Sequence, residues 1–165
     1  MRGQAAVPVV SAPSKLCKIG MLTGGGVQVM TNAGHLSEDE ATLLELIAQW
    51  AKAVREENLP GIRANHDPDI LMFDVPPPFL SRGLEAYMAT WKIFYPSQAR
   101  PIAFDFEEVE ITAGSDVAFA TAIGHCDYVE HGKKTDLKFR LTMGFRKKDG
   151  QWRIVHEHHS VPATD

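Results

Sequence analysis

The stretch 139–162, FRLTMGFRKKDGQWRIVHEHHSVP, constrains the fold more than any other part of the chain. Two runs of strand-forming residues flank Asp149 and Gly150, and Asp-Gly between such runs is the strongest short-range signal for a β-hairpin. The second run carries Trp152 and four consecutive titratable residues from His156 to His159. We therefore predict a hairpin whose second strand packs a core and also brings titratable groups to the edge of that core.

Three amphipathic helices are predicted before this hairpin. Ser37 and Glu40 form a capping box, which starts a long helix that ends near residue 58. Its apolar residues recur at helical spacing, and they are Leu43, Leu46, Ile47, Trp50 and Val54. Pro60 suits the first turn of a short second helix, and Ser81 is expected to cap a third. The apolar face of the third helix comprises Leu84, Tyr87, Met88, Trp91, Phe94 and Tyr95.

Period-two patterns predict a short strand at 70–74 and long strands at 102–111, 116–130, 135–146 and 151–160. The buried parity changes between Phe106 and Val109, so we expect a β-bulge near Glu107 and Glu108. The order α-α-β-α-β-β-β-β predicts an α+β fold, a cone in which a bent, mostly antiparallel sheet wraps around the long first helix. Residues 1–36 are rich in Gly, Pro, Ser and Thr, which predicts a flexible N-terminal extension before one domain at 37–162.

Charge and cysteine content exclude several classes of protein. A net charge of -4 gives no basic surface for nucleic acid, and no apolar run is long enough to span a membrane. Cys17 and Cys126 are far apart in sequence, which argues against a disulfide framework or a Cys-x-x-Cys site. We predict a cytoplasmic protein that binds neither nucleic acid nor membrane.

Several parts of the chain resemble the nuclear transport factor 2-like superfamily. They are the element order, the segment from Asn58 to Ile62, the strand that ends at Asp74, Gly83-Leu84 before the third helix, and the ending DGQWRIVHEHHS. Within the superfamily the chain looks most like the SnoaL-like and ketosteroid isomerase-like proteins and the association domain of calmodulin-dependent kinase. The resemblance covers about residues 38–162, and it implies a pocket inside the cone that takes a small molecule without a cofactor.

The resemblance also implies roles for individual residues. Asp74 falls where ketosteroid isomerases keep the carboxylate that shuttles a proton. Trp50 and Trp91 replace two tyrosines of the oxyanion hole, so steroid isomerisation by the usual mechanism is not expected. The positions of the pocket arginines in the kinase association domain are Gly124, Met143 and His159, which favours an apolar or aromatic ligand. The other residues predicted to bind ligand are Val54, His66, Phe73, Tyr87, Tyr95 and Glu157.

The last strand is expected to divide between two faces. The resemblance places Val155, Glu157 and His159 on the concave side, and simple alternation sends Trp152, Ile154, His156 and His158 to the outer face. That outer face commonly packs against a second subunit in this superfamily, which implies a homodimer. A zinc site formed by the histidines is an alternative, but the spacing fits no known ligand set and we predict no metal. An outward, solvated Glu157 is a further alternative to a Glu157–His159 pair.

Two functions are compatible with this sequence. The first is a cofactor-independent isomerase, lyase or cyclase that uses Asp74 as general base and His159 as a polarising or proton-returning partner. The second is a non-catalytic, dimeric ligand-binding or assembly domain in which Asp74 is structural. An open pocket with Asp74 in its wall favours the first, and a pocket filled by Trp50 and Trp91 favours the second.

Overall fold

The computed structural model describes residues 16–18, 27–32 and 36–163. In chain order the elements are β1 Leu16–Lys18, β2 Val27–Asn32, α1 Glu38–Arg55, α2 Leu59–Arg63, β3 His66–Phe73, β4 Ser81–Arg82, α3 Leu84–Ser97, β5 Phe104–Ala113, β6 Val117–Glu130, β7 Lys133–Lys148 and β8 Gln151–Ser160. The strands form one mixed sheet in the order β1-β2-β5-β6-β7-β8-β3-β4. The α+β class and the order of the predicted elements are confirmed.

The strands β1 and β2 lie within the stretch predicted as a flexible extension. β2 pairs in parallel with β5, and β1 pairs antiparallel with β2. Apart from these two strands and Leu36, the stretch 1–36 lies outside the described residues. The predicted domain boundary at residue 37 therefore stays a prediction.

The first helix begins as its sequence indicates. The Ser37 side chain accepts a hydrogen bond from the Glu40 backbone, and Glu40 Oε2 accepts one from the Ser37 backbone at 2.8 Å. The predicted apolar face is buried: Leu43, Leu46, Ile47, Trp50 and Val54 are all at most 8% exposed. The ring of Trp50 stacks on Phe106 of β5 with centroids 5.4 Å apart. The helix thus fills the concave side of the sheet, as an apolar face must be removed from water.

The third helix begins at a different residue from the one predicted. Its N-cap is Gly83, which makes no side-chain cap, whereas Ser81 lies in β4 and pairs with Met72 of β3. Gly83 has φ 84°, a backbone conformation that glycine adopts without strain. Ser81 is buried in the sheet, and a serine paired in a strand cannot cap the following helix.

One turn and one bulge match the sequence. Asp149 and Gly150 have φ angles of 51° and 76°, the pattern of the two-residue hairpin turn that Asp-Gly favours. The register of β5 against β6 shifts between Glu107 and Glu110, and Glu108 has φ 54°. The predicted bulge is therefore present, and it lets Phe106 and Val109 both face the core.

A second bulge, in β8, was not predicted. Gly144 pairs with His156 while the next residue, Phe145, pairs with Ile154, so Val155 is an extra residue in β8. The bulge reverses the alternation, and Ile154 points into the core together with Glu157, both fully buried. The prediction that Trp152 and Ile154 lie on the outer face was wrong, because simple alternation does not hold across a bulge. Trp152 is also buried, at 5% exposure.

Candidate functional site

A cavity of about 420 Å³ lies between α3, the segment after β3 and the concave face of the sheet. Its walls are predominantly apolar. They comprise Met72, Asp74, Val75, Pro76, Pro77, Thr90, Trp91, Ile93, Phe94, Ser97, Gln98, Phe104, Cys126, Tyr128, Leu137, Phe139 and His159. Among these lining residues there is no lysine or arginine. Cavities of this size and character hold small molecules of low polarity.

Asp74 and His159 form a pair in the cavity wall. His159 Nδ1 lies 3.1 Å from Asp74 Oδ1, which also accepts a hydrogen bond from the Val75 backbone at 2.8 Å. β3 and β8 are parallel neighbours, so Asp74, directly after β3, comes beside the end of β8. The side chains are 21% and 10% exposed, so both are largely shielded from bulk water.

Behind this pair lies a fully buried carboxylate, Glu157. Its Oε1 is 2.5 Å from His66 Nε2 and accepts a hydrogen bond from the Tyr87 hydroxyl at 3.1 Å. Its Oε2 lies 3.5 Å from His159 Nε2, an ion-pair contact without hydrogen-bond geometry. Trp50 Nε1 donates to the Tyr87 hydroxyl at 3.2 Å. The result is a continuous polar network from the cavity wall to the centre of the core.

His66 is held on both sides of its ring. Nδ1 lies 2.6 Å from the Ile62 carbonyl oxygen, and Nε2 faces Glu157. A carbonyl oxygen can only accept, so Nδ1 carries a proton and donates it. The short α2 helix, which supplies Ile62, and the first residue of β3 therefore cooperate in orienting Glu157.

The electrostatics of the network favour a charged Glu157 and a charged His159. Burial opposes ionisation of Glu157, but its contacts with His159 and His66 outweigh burial and lower the pKa of this carboxyl from 4.5 to about 2. Burial likewise opposes the cationic ring of His159, yet its contacts with Asp74 and Glu157 raise the pKa from 6.5 to about 9. Burial, followed by the negative charge of Glu157, raises the pKa of Tyr87 well above 10.0, so its hydroxyl stays a donor.

Only three of the predicted site residues line the cavity: Asp74, Trp91 and His159. Most of the other predicted ligand contacts are buried behind the wall, namely Trp50, Val54, His66, Tyr87, Met143 and Glu157. Trp50 packs against Phe106 and Phe104 in the core, and Tyr87 is fully buried. The cavity is therefore not filled by Trp50.

Three further predicted contacts have other roles. Phe73 packs against His156 and His158, on the side of β8 opposite Glu157. The Tyr95 hydroxyl donates to the Val54 carbonyl at 3.1 Å. Gly124 lies beneath the Phe139 ring, and a Cβ at this position would be 2.3 Å from Phe139 Cζ. Gly124 thus shapes the wall indirectly, by leaving room for Phe139.

Sequence reasoning missed most of the apolar wall. Two features of the sequence point to parts of this wall. Met72 is two residues before Asp74 and so lies on the same side of an extended chain. One face of α3 carries four lining residues at helical spacing: Thr90, Trp91, Phe94 and Ser97. The contributions of Phe104, Leu137 and Phe139 depend on how far the sheet bends over α3. That curvature is a tertiary property.

The histidines of β8 lie on two sides of the strand. The described residues contain no group of three or more His, Cys, Asp or Glu side chains arranged to hold a metal ion. His156 Nδ1 contacts the Leu71 carbonyl oxygen at 2.8 Å, and His158 is exposed beside Phe73. Glu157 and His159 lie on the opposite side of the strand, so the four consecutive residues are divided between two environments. In the part of the chain that the structure describes, none of the helices is long and apolar enough to cross a membrane.

Comparison with known families agrees with this architecture. The SnoaL-like domain family matches residues 43–164, nearly the whole region from the first helix to the last strand. The chain belongs to the SnoaL-like domain family. No curated protein sequence matches it significantly.

Solved structures show the fold of this SnoaL-like domain in other proteins. An NTF2-like protein of unknown function from Pseudomonas putida is 30% identical, covering 79% of this chain and 92% of that one, with a TM-score of 0.70. A ketosteroid isomerase-like protein from Erwinia carotovora is 16% identical over 78% of this chain and 100% of that one, with a TM-score of 0.66. A Xanthomonas campestris protein provisionally described as a calcium/calmodulin-dependent protein kinase II association domain is 19% identical over 80% and 92%, with a TM-score of 0.63. The predicted superfamily is confirmed.

Proposed function

We propose that this SnoaL-like domain binds a small, largely apolar molecule in the cavity and catalyses a cofactor-independent acid–base reaction on it, as an isomerase, lyase or cyclase does. The observation that carries the proposal is the Asp74–His159 pair, hydrogen-bonded at 3.1 Å within the wall of a 420 Å³ apolar cavity. A carboxylate beside a ligand, shielded from bulk water, is suited to remove a proton from a carbon or oxygen atom.

The geometry supports different tasks for the two residues. Oδ1 of Asp74 accepts the bonds from His159 and Val75, so we assign Oδ2 to the ligand proton. In the proposed step the proton passes from a ligand C–H to Oδ2, and the electron pair moves onto the adjacent carbonyl of the ligand. Return of the proton to a second carbon completes an isomerisation. His159, which carries a proton at neutral pH, holds Asp74 in place and offsets its charge.

The composition of the wall supports an uncharged ligand. Because the lining residues include no lysine or arginine, a carboxylate or phosphate would enter without a cationic partner other than His159, which Asp74 and Glu157 already neutralise. Aromatic residues on both sides, Trp91 and Phe94 on α3 and Phe104 and Phe139 on the sheet, favour a flat or ring-containing molecule.

One observation favours a second function, non-catalytic ligand binding or assembly. The donors of Trp50 and Tyr87 are used inside the core, since Trp50 Nε1 donates to Tyr87 and Tyr87 donates to Glu157. They are therefore not available to stabilise an oxyanion, which commonly contributes a hundredfold or more to catalysis. A binding protein has no need of such donors.

We also propose that the protein is a cytoplasmic homodimer that pairs through the outer face of the sheet. The bulge in β8 removes Trp152 and Ile154 from that face, so support comes instead from β6. Val117 and Phe119 are 58% and 51% exposed there, and exposed apolar side chains at neighbouring positions mark an interaction surface.

Proton exchange distinguishes the two functions. Binding is screened first with neutral cyclic ketones and enones, by displacement of the fluorescent apolar probe N-phenyl-1-naphthylamine. Each ligand that binds is then incubated with the protein in D₂O, and incorporation of deuterium beside the carbonyl is followed by NMR. We expect catalysed exchange that falls by about a hundredfold or more in Asp74→Asn, while probe binding persists.

Asp69→Asn is the matched control, because Asp69 is exposed on β3, the strand that Asp74 follows, and does not line the cavity. If ligands bind but incorporate no deuterium above background, and Asp74→Asn gives the same result as the wild type, the catalytic function is refuted. The binding function would then stand. Failure of every probe and ligand to bind would refute both.

A further inference from the structure

The register of the strands gives the length of the cavity. His159 pairs with Leu141 of β7, and Tyr128, which also lines the cavity, pairs with Thr135 of the same strand. Thr135 and Leu141 are six residues apart on β7, which corresponds to about 20 Å along an extended strand. The cavity is therefore elongated, with the Asp74–His159 pair at one end and Tyr128 at the other.

Gln98 occupies the end that lies away from Asp74. Its backbone forms an isolated β-bridge with Tyr128, and its side chain lines the cavity. Nε2 donates to the Phe94 carbonyl at 3.4 Å and to Ser97 Oγ at 3.1 Å. Because the Phe94 carbonyl oxygen can only accept, the atom that faces it is the amide nitrogen. In this conformation Oε1 is therefore the amide atom left without a partner.

Oε1 of Gln98 is a buried acceptor that lacks a donor. The residue is only 8% exposed, and within the described part of the chain no hydrogen-bond donor reaches this oxygen. Buried polar atoms in folded proteins nearly always have a partner, and an unpaired one is unfavourable. The oxygen is enclosed by protein in this conformation, so a ligand donor reaches it after a rotation of the Gln98 side chain, a residue that lines the cavity.

We propose that Gln98 forms a second polar subsite, which accepts a hydrogen bond from a hydroxyl or N–H group at the far end of an elongated, uncharged ligand. The inference rests on the proposed function, since it assumes that a ligand occupies the cavity. Between the two polar ends the wall is formed by Phe94, Phe104, Leu137 and Phe139. The ligand class is thus a molecule with an apolar middle and one polar group at each end.

Ligand length follows from the two walls. Along α3 and the residue that follows it, the lining residues run from Thr90 to Gln98, a rise of about 12 Å, against about 20 Å on the sheet. A ligand that reaches both Asp74 and Gln98 therefore spans between about 12 and 20 Å. Shorter molecules reach only one end.

Matched alcohols and diols test the subsite. Octanol, decanol, dodecanol and tetradecanol are compared with the corresponding α,ω-diols as competitors of N-phenyl-1-naphthylamine bound to the full chain. Each diol adds only a second hydroxyl to an alcohol of the same length. At the length that spans the cavity we expect the diol to bind about fivefold more tightly than the alcohol, or about 1 kcal/mol.

Gln98→Met keeps the length of the side chain and removes the acceptor, so the preference for the diol should disappear while the alcohols bind as before. Gln49→Met is the control, because Gln49 is exposed on α1 and away from this cavity.

Alcohols that bind as well as diols at every length, in the wild type, would overturn the second subsite and leave the proposed function standing. A diol preference that survives in Gln98→Met would overturn the assignment to Gln98. If neither the probe nor any alcohol binds, the proposed function fails and the subsite with it.

Discussion

Replacing Glu157 by glutamine removes one charge from the centre of the core and leaves the shape of the side chain unchanged. Glu157 is fully buried, and it contacts His66 at 2.5 Å and His159 at 3.5 Å. Its pKa of about 2, against an ordinary value of 4.5, means that folding favours the ionised carboxyl. The pKa difference of about 2.5, at 1.36 kcal/mol for each unit, corresponds to about 3 kcal/mol. Removal of one partner from a buried ion pair typically costs about 3 to 5 kcal/mol, which agrees.

We therefore expect Glu157→Gln to lower the free energy of unfolding by about 3 kcal/mol at pH 6, measured by urea denaturation. The same substitution removes one of the two carboxylates that hold the proton on His159. The pKa of His159 should fall from about 9 towards 6.5, measured from the NMR shift of its ring Cε1–H during titration. Stability and titration thus report on the same contact independently.

Glu110→Gln is the control, since Glu110 is exposed on β5 and its loss should leave both measurements unchanged. A Glu157→Gln protein that loses less than about 1 kcal/mol, with His159 still titrating near pH 9, would refute the ionised network. A loss of stability without any change at His159 would mean that His66 and Tyr87 alone account for the role of Glu157.

Three further measurements test the pH dependence of stability, the wall of the cavity and the proposed dimer interface. Stability should be greatest between about pH 4.5 and 6.5, because the stabilisation by Glu157 is lost as pH falls from 4.5 towards 2. The stabilisation by His159, about 3 kcal/mol, is lost as pH rises from 6.5 towards 9. Equal urea midpoints at pH 6 and pH 9 would contradict this dependence. Gly124→Ala should destabilise the fold by about 1 to 3 kcal/mol and weaken probe binding, because the new methyl group displaces the Phe139 ring. Adding Phe139→Leu to the Gly124→Ala protein should restore stability. A Gly124→Ala protein with wild-type stability and probe binding would disprove the contact. Phe119→Lys should convert the proposed dimer to a monomer in light scattering without loss of probe binding, whereas a monomeric wild type would exclude the outer face as an interface.

Local signals in the sequence determined most of the elements. The Ser37–Glu40 capping box, the Asp149-Gly150 turn and the change of parity near Glu108 each depend on residues close together in the chain. Such features arise from backbone preferences and nearby hydrogen bonds, so a linear pattern is sufficient to find them. Asp74 and His159 were singled out by resemblance, and the structure places them in contact across 85 residues of chain.

The tertiary structure decided which side chains face the cavity. The bulge at Val155 leaves no mark in a run of alternating strand residues, yet it turns Trp152 and Ile154 inward together with Glu157. The burial of Glu157 depends on His66, 91 residues away, and on Tyr87. Hydrophobic patterning specifies that a face is buried, whereas curvature, register and long-range pairing specify what it is buried against. The sequence by itself therefore determined the cone and its catalytic candidates, and only packing placed Trp50 behind the wall and left a cavity beside Asp74.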